Sequence, residues 1–126
     1  MKKLLALILL IQIQFINSQK ILKDYPLSNT IEETSGLEII DNMLITHNDS
    51  GGEPVLYYLN KKGEIVETRK ISGVKNNDWE DVTKDDEFIY VANMGNNFDT
   101  RKNLSIIKIP IKKSLNEKVE LINFLY

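Results

Sequence analysis

The 126-residue chain contains no cysteine and only one histidine, His47. Without Cys there is no disulfide framework, so stability in an oxidising compartment must come from packing alone. A thiolate zinc centre is excluded, and one His cannot build a His-rich one. No Cys lies near the N-terminal apolar segment to carry a lipid anchor. An excess of basic residues is also lacking. The formal net charge is −2, and without Lys2 and Lys3 it falls to −4. A mildly acidic surface argues against non-specific binding to nucleic acid or anionic lipid. There is no Ser or Cys nucleophile motif, no P-loop and no dinucleotide fingerprint. No stretch sustains a 3.6-residue apolar period, apart from a short turn expected near residues 112–117.

The one strong apolar run is at the start. Met1-Lys2-Lys3 is a short basic region, Leu4 to Ile13 is apolar except for Gln12, and Asn17-Ser18-Gln19 offers small and polar residues for cleavage. This is the layout of a secretory signal peptide over residues 1–19. The apolar core, about ten residues, is short of the roughly 20 that a spanning helix needs. The expectation is an exported protein, periplasmic, cell-surface or extracellular, with no membrane span after signal removal.

Beyond a polar lead segment, 20–34, short apolar runs alternate with turn residues. Leu37–Ile40, Met43–Thr46 and Val55–Leu59 are three such runs, and Glu64–Ile71 reads as an exposed outer strand. Asp41-Asn42 and Asn60–Gly63 are the intervening turns. The order then recurs: Trp79–Thr83, Phe88–Ala92, Leu104–Ile109 and Val119–Leu125. Alternation places Trp79 and Asp81 on one side of the fifth run and Glu80 on the other. Aligning Leu37-Glu38 with Trp79-Glu80 suggests a repeat of about 40–50 residues, the spacing of four-stranded β-propeller blades. The expected fold is therefore all-β, with blade one at about 35–73 and blade two at about 76–126.

In a propeller the first strand of each blade lines the central channel, and the loop between second and third strands opens on one face. Glu38, Glu80, His47-Asn48-Asp49, Asn76-Asn77-Asp78 and Asn93–Asn97 all fall on that face. Carboxylate and amide oxygens that converge suit Ca²⁺, which takes six to eight oxygen ligands. Glu38, Glu80, Asn48 and Asn96 are the candidate metal ligands, and His47 is the candidate general base. Asn48, Asp49, Asp78, Asp81, Asn97 and Arg101 are the candidate ligand-binding residues.

Ser35-Gly36-Leu37-Glu38, His47-Asn48-Asp49-Ser50-Gly51-Gly52, Asp78-Trp79-Glu80-Asp81 and Asn93-Met94-Gly95-Asn96-Asn97 with Arg101 resemble an exported bacterial β-propeller family of poorly known function. The resemblance spans about residues 33 to 110. In the last motif Asn93 and Asn96 stand where that family usually has Asp. More distantly, the pattern is similar to six-bladed calcium-dependent lactonase propellers of the gluconolactonase and paraoxonase type. The first resemblance implies the propeller fold and leaves the activity open; the polar channel face is then expected to bind a small molecule or protein partner. The second implies a Ca²⁺-assisted hydrolase. Two blades cannot close a ring, so the chain is expected to be an N-terminal fragment, or to need missing blades or other copies of itself.

Overall fold

The structure, a computed structural model, describes residues 21–113 and 118–124. The signal segment and most of the short turn expected over 112–117 lie outside the described residues. Eight strands form in chain order: β1 (Thr34–Ile40), β2 (Met43–Asn48), β3 (Val55–Leu59), β4 (Ile65–Lys70), β5 (Asp81–Lys84), β6 (Phe88–Asn93), β7 (Ser105–Pro110) and β8 (Glu120–Asn123). They make two four-stranded antiparallel sheets, β1-β2-β3-β4 and β5-β6-β7-β8, each a simple meander. Among the described residues there is no helix long and apolar enough to cross a membrane.

Local chemistry accounts for the hairpins. Asp41 and Asn42 both take positive φ, 48° and 68°, closing β1 onto β2 through a two-residue turn. These residue types tolerate the left-handed region, and a turn of that hand matches strand twist. Between β3 and β4, Asn60 Oδ1 accepts from the Lys62 and Glu64 amides, and Gly63 supplies the positive φ.

Strand alternation sorts the side chains into faces. Ile45, Leu56 and Tyr58 of the first sheet meet Val82, Ile89, Val91, Ile107 and Ile109 of the second, with Trp79 and Ile71 inside the same cluster. Each such fully buried aliphatic side chain contributes about 1.5–3 kcal/mol. The far face of the first sheet carries a smaller cluster, Tyr57 and Leu59, covered by Ile31 of the lead segment. The lead is therefore irregular in backbone yet anchored to this face through Ile31.

Two expectations need correction. The fifth strand begins at Asp81, so Trp79 and Glu80 precede it rather than belong to it. Alternation therefore does not extend back across them: Trp79 is buried, whereas Asp81 is exposed. Pairing also separates the two glutamates that the sequence aligned. Glu38 sits opposite Ile45 in the first hairpin, and it is Thr83, opposite Tyr90, that sits correspondingly in the second.

The first strands of the two sheets, β1 and β5, run close together. Ser35 Oγ donates to the Trp79 carbonyl at 2.9 Å, and Thr83 Oγ1 donates to Glu38 Oε2 at 3.2 Å. Gly36 permits this approach. A Cβ there would lie 2.6 Å from the Val82 nitrogen and 2.7 Å from His47 Nε2. Gly36→Ala is expected to destabilise the chain by about 1–3 kcal/mol, the usual cost of overpacking. Chemical denaturation would show a lower midpoint; an unchanged midpoint would mean that the strands part without penalty.

Candidate functional site

The site is built where the end of β2 meets the segment entering β5. Trp79 is the fixed point. Its ring is fully buried, its indole N–H donates to the Lys75 carbonyl at 3.3 Å, and the His47 ring packs edge-on against it with centroids 5.6 Å apart. The backbones are then stitched together. Asn76 Nδ2 donates to the Asn48 carbonyl at 2.9 Å, and the Trp79 amide reaches Asn76 Oδ1 at 3.2 Å. On the other side, the Gly95 amide donates to the Asp78 carbonyl at 3.1 Å and the Glu80 amide to the Ala92 carbonyl at 2.8 Å. Asp49, Asp78 and Glu80 are thus held from three directions.

Their carboxylates converge. One oxygen from each of Asp49, Asp78 and Glu80 lies within 4.8 Å of the others. Gly95 lies directly beneath; a Cβ there would overlap the Asp78 carboxylate and Glu80 Oε1. Asp49 Oδ1 is shielded from solvent and has no hydrogen-bond partner among the described residues. Burial pushes the Asp49 carboxyl above its ordinary pKa, helped by a hydrogen bond shared with Asp78 and by the charges of Glu80, Asp78 and Glu33. Buried acceptors are normally satisfied, and like charges this close repel. The arrangement therefore carries a local cost that a cation or donor would offset.

A cavity of about 230 Å³ opens beside the cluster, lined by Asp49, Asp78, Asn96, Asn97, Phe98 and Arg101 among others. Phe98 stands 88% exposed at this loop. A larger cavity, about 650 Å³, lies under residues 73–77 and is walled by Asn77, Asn93, Asn103 and Asn123 without a carboxylate.

The remaining candidates fall in several places. Asn48 lends its side chain to the lead segment, accepting from the Glu32 amide at 3.1 Å and donating to the Thr30 carbonyl at 3.0 Å. Asn96 Oδ1 accepts from the Arg101 amide at 2.8 Å. Glu38 is bonded to Thr83 and to the Ile39 amide, outside the three-acid cluster. Of the two carboxylates among the four proposed metal ligands, Glu80 joins the convergent group, whose other members are the proposed ligand-binding residues Asp49 and Asp78, and Glu38 does not. Asp81 opens β5, the strand beside β1, with its Oδ1 accepting from the Val82 amide at 2.8 Å. Arg101 turns inward, its guanidinium donating to the Gly95 and Asn93 carbonyls. It braces the 93–101 loop from within. Asn97 lines the cavity rim.

His47 is wholly buried and does not line that cavity. Nδ1 lies 3.1 Å from the Asn48 carbonyl, and Nε2 faces Gly36. Burial lowers its pKa below the ordinary value, only partly opposed by the Asn48 and Asp81 backbone carbonyls and by the Asp81 and Glu80 charges.

Two contributors carry roles that the sequence does not assign. Asn76 is a buried bridge, and Gly95 is the floor of the cluster. Between Met94 and Asn96, Gly95 reads in sequence only as a turn residue. Its place beneath two carboxylates depends on Asp78 and Glu80, which lie far from it along the chain. Comparisons with protein-family models, with curated proteins and with solved structures return no match.

The raised Asp49 pKa gives a signed expectation. In the fold the protonated form is favoured, so the Asp49 penalty is absent at low pH and appears as pH rises through the raised value. Asp49→Asn should therefore raise the melting temperature at neutral pH in metal-free buffer, with the gain vanishing in acid. Thermal melts of both proteins across pH check this; a variant that melts below wild type at neutral pH would contradict it.

Proposed function

We propose that this chain is an exported, propeller-type binding module whose loop face grips the cationic or hydrogen-bond-donating groups of a ligand. The observation that carries the reading is the convergence of Asp49, Asp78 and Glu80 on one point beside an open cavity. Loops held by a rigid scaffold are the usual place for such work. The cluster fits a hard cation, which accepts carboxylate, carbonyl and water oxygens.

The propeller element rests on face equivalence. The face of the first sheet that meets the second carries Ile45 and Leu56. The corresponding face of the second sheet, turned away from the first, carries Tyr90, Ala92 and Ile106 around a shallow recess. Two meanders of the same strand order, stacked with the same sense and with first strands adjacent, are the unit from which propellers are built. Export rests on the N-terminal pattern alone.

Binding is preferred to hydrolysis because the one histidine is buried away from the cavity. A general base must come within hydrogen-bond reach of the proton it takes.

Calorimetry with Ca²⁺ alone, and separately with 1,4-diaminobutane, tests the reading. At least one should bind, and Asp78→Asn or Glu80→Gln should lower its affinity at least tenfold. Gly95→Ala should do the same without changing charge, because its Cβ displaces both carboxylates. No heat from either probe at millimolar concentration would overturn the proposal.

A further inference from the structure

Among the described residues, the outer face of each sheet has no sheet packed on it. On the far side of the first sheet, Leu37 and Ile39 are 62% and 58% exposed. They border an apolar recess of about 260 Å³ lined by Leu27, Leu37, Leu44 and Leu59. Ile31 of the lead segment lies over Tyr57 and Leu59, with Leu44 packed against them, and Leu27 of the same segment forms one wall of the recess. On the far side of the second sheet, Tyr90 and Ile106 border a recess, and Ile122, paired with Ile106, is 39% exposed. The recess on the second sheet shares its face with Thr83 and the Lys108–Glu120 ion pair, as the packed face of the first sheet shares its own with Glu38 and Glu67.

The packing already present says what fits. Within the chain, a face built on Ile45 and Leu56 docks against a face built on Val82 and Ile89. The exposed face of the second sheet corresponds, strand for strand, to the Ile45 face. The exposed face of the first sheet, with Leu37 and Leu44, corresponds to the Val82 and Ile89 face. Each free face is thus the counterpart of one half of the existing interface.

We propose that copies of this chain associate head to tail, the Tyr90–Ile106 face of one seated on the Leu37–Leu44 recess of the next. Such a contact uses different patches on the two partners, so it can extend to a ring or an open array. It brings β5 of one copy beside β1 of its neighbour, as β1 and β5 already lie within the chain. It does not depend on what the loop face binds.

Sedimentation of the full chain over a range of concentrations tests this. Wild type should assemble with rising concentration. Ile106→Glu and Leu37→Glu should each remain monomeric, with circular dichroism and melting showing that they are folded. Tyr90→Glu provides a second variant on the same face should Ile106→Glu fail to fold. Mixing the Leu37→Glu chain with a folded variant of the Tyr90–Ile106 face should give a one-to-one dimer, since each retains one intact face. Three results would overturn the proposal: wild type monomeric at every concentration, folded variants that assemble as wild type does, or a mixture that stays monomeric.

Discussion

The structure depends on one seam, where Trp79 locks the entry to the second sheet against the end of β2. Its indole is fully buried in the core shared by both sheets, and its backbone amide is fixed by Asn76. A large aromatic with a satisfied N–H contributes apolar area and a defined orientation together. Because Trp79 sits between Asp78 and Glu80 in sequence, fixing it fixes both acids. His47 extends the same seam from the other side, edge-on to the indole, and Asp49 follows two residues later. The close approach of β1 at Gly36 completes it. Core packing and site geometry are therefore one interaction viewed from two ends.

That seam explains how the chain tolerates a repulsive cluster. Three carboxylates gathered within a few ångströms would spread apart on a mobile loop. Here the backbone is tied at Asn48, Asp78 and Glu80 by bonds that cross between neighbouring segments, and Arg101 braces the third loop through its carbonyls. Arg101 thereby spends its donors on shape. The Asp49 carboxyl, shielded from solvent at Oδ1 and set beside Asp78, is where that constraint is felt most.

Much of the fold was legible in the sequence because it follows local rules. The runs at Met43, Val55 and Phe88 carry strand-forming residues, and Asp41-Asn42 supplies the backbone freedom of its turn. The all-β class and the two meanders follow from such signals. The site was legible at the level of which loops cluster, less so at the level of which atoms meet. Asn48 and Asn96 look like ligands by type, but their amides satisfy nearby backbone groups, which a short polar side chain does readily. Glu38 and Glu80 look alike by spacing, yet one lies within a strand and the other before it. Strand register decides that difference, and register is a tertiary property. The importance of Gly95 was hidden for the same reason: its neighbours above are Asp78 and Glu80.

The Trp79 seam holds Asp49, Asp78 and Glu80 in mutual repulsion. Carbon-detected NMR titration of the side-chain carboxyls measures this directly at each residue. The account predicts that Asp49 titrates above the ordinary carboxyl range in metal-free buffer, and that Asp78→Asn moves it back toward that range. An Asp49 carboxyl that titrates normally in the folded wild type, or ignores the loss of Asp78, would contradict it.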